Sequence, residues 1–133
     1  MADPILGASA CIWRGGKVLL IKRGKPPGKG LWSLPGGKIE LGEAAEAAAA
    51  RELFEETQVA AKLVQAMGPY DVKKDDTVIY SITCFAGLYV SGEAVAGSDA
   101  AGVAWVYPQA LGGFELAPNI AQAIAESAKV LKL

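Results

Sequence analysis

The chain contains no histidine. That removes every mechanism built on an imidazole base, including Ser-His-Asp and Cys-His sites, and every His-ligated metal. Cysteine is scarce as well. Cys11 and Cys84 are the only two in 133 residues, too few for a disulfide framework or an all-cysteine zinc site. Both stand in apolar, strand-like runs and read as buried free thiols. An excess of either charge is also lacking: 13 Lys+Arg against 14 Asp+Glu give a formal net charge of −1. The general electrostatic case for nucleic acid or an anionic membrane as the main partner therefore fails. The longest apolar run, Val78 to Val90, falls short of the roughly 18 residues that span a bilayer. The start, Met-Ala-Asp-Pro, has no basic segment leading into an apolar run, so a cytoplasmic location is the expectation. Catalysis, if any, must draw on carboxylates, Lys, Arg, Tyr, hydroxyls or an oxygen-ligated metal.

What is present is a folding composition. Hydrophobic residues make up 52% and charged residues 20%, which excludes a disordered or acidic solvating segment. One domain over residues 1–133 is expected. Residues 5 to 23 read as a hairpin turning at Gly15-Gly16. Residues 24 to 38, rich in Gly and Pro, read as a loop with a short strand around Trp32 and Leu34. An alanine-rich helix is expected over 43 to 57, with Gly42 as N-cap and Glu43 in its first turn. A strand over 59 to 68 should end at Gly68-Pro69, and Lys73 to Asp76 read as a charged turn. Val78 to Val90 should be a strand buried on both faces or nearly so. After a small-residue connection from Gly92 to Gly102, Val103 to Tyr107 is a short strand. Ala117 to Leu131 is a final helix with Pro118 in its first turn and Ile120, Ile124, Ala128 and Leu131 on one stripe. The order predicts an α/β or α+β sandwich with a mixed sheet between helices.

The informative stretch is GGKIELGEAAEAAAARELFEETQV, Gly36 to Val59. On a wheel of about 100° per residue, Glu55 falls near −60° and Glu56 near +40° from Glu52. Three carboxylates thus crowd one arc, while Ala47, Ala50 and Phe54 fall opposite and are expected to face the core. Like charges at this spacing destabilise a helix. Arg51 can relieve one repulsion, four residues from Glu55, but it cannot neutralise three. A hard cation such as Mg²⁺ fits better, since it takes carboxylate oxygens and bridges to substrate phosphates. Gly36-Gly37 permits close backbone approach just before the helix.

The segment resembles the Nudix box, G-x5-E-x7-R-E-U-x-E-E-x-G-U with U aliphatic. Gly37 is the first Gly and Glu43 the isolated Glu. Arg51-Glu52-Leu53-x-Glu55-Glu56 is the central block, and Val59 closes it. RGKPPGKGLWSLPGGKIE before the box and DAAGVAWV after it also resemble the family. One position departs: Gln58 stands where the box has Gly, at the end of the expected helix.

The resemblance implies the family's αβα sandwich and hydrolysis of a nucleoside diphosphate linked to another moiety, assisted by Mg²⁺ or Mn²⁺. It makes Glu55 and Glu56 metal ligands, Glu52 a ligand or base, and the Gly37 carbonyl a further ligand. Glu43 and Arg51 would mainly orient the helix and loop. A later-loop base is open: the usual glutamate before the Trp is Gly102 here, and Asp99 and Glu93 are nearby. Arg23, Lys25, Lys29 and Lys38 are expected phosphate contacts. Trp32 could stack on a base, and Tyr70, Tyr80 and Phe85 are candidates for pocket walls. The expected partner is a small nucleotide, with neither nucleic acid nor membrane. Family habit suggests a homodimer, although no residue marks an interface.

For the substrate, the lead-in favours an ADP-ribose-type nucleotide. The Pro that usually follows the box in one such subgroup is replaced by Lys74 and Asp75. The markers of dinucleoside-polyphosphate enzymes and NADH pyrophosphatases are absent. Nucleoside triphosphates, including oxidised dNTPs, are the alternative substrates. A non-catalytic nucleotide-sensing module is the alternative role.

Overall fold

The computed structural model describes residues 3–97 and 99–133. Met1 and Ala2, at the start of the chain, and Ser98, in the small-residue connection, lie outside the described residues. β1 (Ile5–Arg14) turns back through Gly15-Gly16 into antiparallel β2 (Lys17–Arg23), as the turn pair predicts. β3 (Trp32–Ser33) pairs with β2 and β4 (Gly36–Lys38) with β1. α1 (Ala45–Thr57) follows, then β5 (Ala60–Lys74), β6 (Thr77–Ser91) and β7 (Ala100–Val106). A short 3₁₀ helix, Pro108–Gly113, leads to α2 (Ile120–Val130). β1 pairs with β6 in parallel and the other pairings are antiparallel, so the sheet is mixed.

Period-two alternation along β1 and β2 builds both layers. Ala8, Ala10, Ile12 and Leu19 face α1, packing with its Ala48, Ala49 and Leu53. Cys11, Trp13, Val18 and Leu20 face α2, packing with Ala123 and Ile124. The expected αβα sandwich is therefore present. The Ser127 hydroxyl, buried under α2, is satisfied: Ser127 Oγ accepts from Trp13 Nε1 at 2.8 Å and Cys11 Sγ at 3.2 Å, and donates to the Ile124 carbonyl at 2.7 Å. The Tyr70 hydroxyl, buried in the same layer, has no hydrogen-bond partner among the described residues. Cys11 and Cys84 are free and buried. Among the described residues, no helix is long and apolar enough to cross a membrane.

Several expectations need correction. β4 forms inside the stretch expected to be loop, because β1 offers it an open edge. β5 runs through Gly68-Pro69 to Lys74, with register shifts between Met67 and Tyr70. It is an edge strand, and a strand edge tolerates a residue without an N–H. The turn narrows to Asp75-Asp76, both at positive φ. β6 is buried only at its middle, Cys84 to Gly87, and Leu88 and Val90 are exposed. α1 starts two residues late, with Ala44 as N-cap instead of Gly42. α2 starts at Ile120, so Pro118 precedes it.

The most consequential correction concerns the face of α1. Ala47, Ala50 and Phe54 are exposed, and the buried stripe is Ala48, Ala49, Leu53 and Thr57. On the wheel that stripe centres near +50° from Glu52, so Glu52 and Glu56 fall within the inward arc.

Candidate active site

The glycine pair lets the glutamate face of α1 approach β4. A Cβ on Gly37 would run into the Glu52 carboxylate. Pairing parity then sorts the backbone groups of β4. Ala10 N–H donates to the Pro35 carbonyl at 2.9 Å and Ile39 N–H to the Leu6 carbonyl at 3.0 Å. Residues 35, 37 and 39 thus turn their polar groups to β1, while 36 and 38 turn theirs away. Accordingly, Gly36 N–H donates to Glu56 Oε2 at 3.4 Å, and the Lys38 carbonyl accepts from Arg51 Nη2 at 3.2 Å. By the same parity the Gly37 carbonyl, expected as a ligand, turns towards β1 opposite Ala8. The backbone facing the acidic cluster is that of Gly36. The Gly-Gly doublet signalled close approach, but only the register tells which glycine makes it.

Arg51 is the hub of the outer half of the cluster. Its Nε donates to Glu43 Oε2 at 2.8 Å and its Nη2 to Glu43 Oε1 at 3.0 Å. Its Nη1 reaches Glu52 Oε1 at 2.8 Å and Glu55 Oε2 at 3.4 Å. Glu43 also accepts the Glu40 N–H at 3.0 Å, which closes the loop ahead of α1. These hydrogen bonds from Arg51, then that from Glu40, hold the Glu43 carboxyl down at about 2.

The inner half is different. Burial pushes the Glu52 carboxyl up, against the pull of Arg51. Burial, then the charge of Glu52, pushes Glu56 up to about 8, opposed by the Gly36 N–H and by the nearby positive charge of Arg23. Two half-buried carboxyls thus hold protons more tightly than usual and face each other. Glu55 stands at the rim, with its side chain 52% exposed. Among the described residues no three carboxylates converge tightly enough to enclose an ion as they stand. Arg51 draws Glu52 and Glu55 one way, and Gly36 holds Glu56 the other.

An open cleft of about 490 Å³ runs beside the cluster, lined by Lys38, Ile39, Glu40, Leu41, Arg51 and Glu52. Lys38 is exposed at its edge. Arg23, at the end of β2, donates from Nε to the Pro27 carbonyl at 2.6 Å. Lys25 pairs with Asp99 at 2.7 Å, and Lys29 is exposed. Trp32 packs edge-on against Phe114, with centroids 5.1 Å apart, and is partly buried in the α2-side core. Tyr70 is buried in that same core, away from the cluster, and Phe85 lies under α1, so neither lines the cleft. Tyr80 is half-buried on β6. Glu93 is exposed, and a side chain at Gly102 would meet only ordinary contacts.

A family model described as "NUDIX domain" matches residues 3–130. A Bacillus subtilis protein named "Putative 8-oxo-dGTP diphosphatase" is 40% identical over 104 residues, covering 77% of this chain and 65% of that one. The "ADP-ribose pyrophosphatase" of Methanocaldococcus jannaschii is 38% identical over 98 residues, covering 73% and 58%. The chain thus spans less than two-thirds of the length of either relative. The crystal structure of a MutT NUDIX hydrolase from Burkholderia pseudomallei superimposes with a TM-score of 0.82 at 28% identity, covering 93% of this chain and 98% of that one.

Proposed function

The chain belongs to the NUDIX family, and from that premise we propose that it hydrolyses the pyrophosphate bond of a nucleoside diphosphate derivative with a divalent cation, Mg²⁺ foremost and Mn²⁺ as substitute. The observation that carries this reading is the Glu52–Glu56 pair. Two facing carboxyls with raised proton affinity can ionise together when a cation takes the place of the proton and offsets their repulsion. The donor set fits such an ion: hard oxygens from Glu52, Glu55 and Glu56, with the Gly36 backbone facing them. A cation held there would neutralise pyrophosphate charge and lower the pKa of a bound water.

The chain's own residues supply the rest. Arg51, fixed by Glu43 and the Lys38 carbonyl, orients Glu52 and Glu55. Glu52 is a ligand or the base that takes the proton of the attacking water. Arg23, Lys25 and Lys38 offer positive charge to the phosphates, and Trp32 a flat face to a base. The water oxygen bonds to one phosphorus as the bond to the bridging oxygen breaks. The two free thiols in the core support a cytoplasmic setting.

An ADP-ribose-type nucleotide is the favoured substrate, in line with the Methanocaldococcus relative's name. The Bacillus relative's name favours the second reading, an oxidised dNTP. A panel of ADP-ribose, nucleotide sugars, dinucleotides and nucleoside triphosphates separates them, with products identified by chromatography. AMP plus ribose 5-phosphate marks the first, and a nucleoside monophosphate plus pyrophosphate the second. Glu55→Gln and Glu56→Gln should abolish either. If no compound is cleaved and none raises the melting temperature, the reading fails.

A further inference from the structure

We propose that Gly97 and Asp99 are positioning residues. They tie the basic loop between β2 and β3 to the C-terminal end of α1, and so set the distance between the phosphate-facing cations and the acidic cluster. The proposal rests on the pyrophosphohydrolase reading.

One end of the tether is α1. The last carbonyls of a helix have no partner within it. Here Gly97 N–H donates to the Glu56 carbonyl at 2.7 Å and Val95 N–H to the Thr57 carbonyl at 3.0 Å. A Cβ on Gly97 would overlap the Glu55 carbonyl, so a larger residue could not sit there without moving the connection off the helix. The carbonyls used belong to the helix end that bears Glu55 and Glu56.

The other end is the basic loop. Gly24 N–H donates to the Asp99 carbonyl at 3.2 Å, and a Cβ on Gly24 would come within 2.8 Å of that same oxygen. The Asp99 carboxylate meets Lys25 Nζ at 2.7 Å. Between these ends, Ala100 N–H returns to the Gly97 carbonyl at 3.1 Å, and Ala100 pairs with Arg23 in the sheet.

The basic loop is braced by its own hydrogen bonds. Gly30 N–H donates to the Arg23 carbonyl at 2.8 Å, Leu31 N–H to the Gly28 carbonyl at 2.9 Å, and Arg23 Nε to the Pro27 carbonyl at 2.6 Å. Whatever holds Gly24 therefore also places Arg23, whose charge acts on Glu56. The exposed Lys25–Asp99 pair is worth little as an isolated ion pair. Its part is to aim Lys25, while the two close glycine contacts hold the backbone. This gives Asp99 a role other than general base: its carboxylate is engaged by a lysine, and its carbonyl by the loop.

Two measurements test the tether. Native-state hydrogen exchange needs no substrate. Gly97→Ala should speed exchange at the Gly24 amide while the β1 and β6 amides stay protected. If Gly97→Ala does not fold, Gly24→Ala presses on the Asp99 carbonyl at the other end of the tether and is read at the Gly97 amide. Unchanged exchange there overturns the proposal. In steady-state kinetics, Asp99→Asn should raise KM about two- to fivefold at constant kcat, with Asp99→Glu restoring it. A fall in kcat at constant KM would make Asp99 part of the chemistry, and no change in either would leave it idle; both overturn the assignment. A wild type that hydrolyses nothing sinks the pyrophosphohydrolase reading instead, and exchange alone then decides the tether.

Discussion

Glu43 and Arg51 meet through two parallel hydrogen bonds, at 2.8 and 3.0 Å, that join the loop before α1 to the middle of the helix. The fork geometry matches a guanidinium to a carboxylate. It explains how an arginine among four glutamates can fix one of them firmly and still steer two others. It also explains why Glu43, outside the helix, stands at a set distance from Arg51 in sequence: the loop must return exactly one residue's carboxylate to the helix flank.

The first prediction is an acid limb that belongs to this pair. The Glu43 carboxyl is lowered from 4.5 to about 2, chiefly by Arg51. A depressed folded pKa means stability that is present above the ordinary value and is lost as pH falls from about 4.5 towards about 2. Glu43→Gln should flatten that part of the melting-temperature profile and lower stability at neutral pH. Parallel profiles for wild type and variant would show that the pair contributes nothing.

The end of α1 gives a second prediction. Gln58 occupies the left-handed region, at φ 65° and ψ 11°, where the box has glycine. A side chain there costs about 1 kcal/mol that glycine avoids. Gln58→Gly should therefore raise the melting temperature by about 4 °C. Its side chain is exposed, so no packing is lost. A lower melting temperature would mean that Gln58 makes a compensating contact.

The same residue shows what could be read from sequence. The box spacing located the helix end and flagged Gln58, and the Gly15-Gly16 pair located the first hairpin. The inward face of α1 was not legible. Alanine at 47 and 50 looks the same as alanine at 48 and 49, so the run has no apolar side. Placing Ala47, Ala50 and Phe54 inward turns the carboxylates outward, although Glu52 and Glu56 lie within the arc that faces the sheet. β4 was hidden for a related reason: Gly36-Gly37-Lys38 has no side-chain alternation to reveal a strand. With β4 unseen, neither parity nor the facing glycine could be worked out. The proline in β5 read as a stop because only the sheet order shows that β5 is an edge.

Gly37 supports a third prediction. The position a Cβ would take faces Glu52, and an added Cβ would displace the carboxylate, the free end of a flexible side chain, before it strained the backbone. Gly37→Ala should therefore spare most of the stability while lowering kcat/KM by about 100-fold, the cost of a misplaced catalytic group. Equal losses of stability and activity would show instead that β4 itself had shifted.

The last prediction concerns Glu56 and uses stability as the readout, so it does not depend on knowing the substrate. A carboxyl raised to about 8 by burial and by Glu52 is protonated in the folded, metal-free protein at neutral pH, while in the unfolded chain it is ionised. The native state thus binds more protons, and stability falls as pH rises from about 4.5 to about 8. Glu56→Gln cannot ionise and should escape that fall, so the variant should be the more stable protein at pH 8 without metal. Adding Mg²⁺ should reverse the order. Any ligand that binds only the native state stabilises it, and the wild type, having lost the repulsion between Glu52 and Glu56, gains most. The crossover should appear in melting curves taken with and without Mg²⁺ at pH 8. If Mg²⁺ raised both proteins equally, Glu56 would not be a ligand. If Glu56→Gln were the less stable without metal, the burial penalty on Glu56 would be offset by contacts that glutamine cannot make.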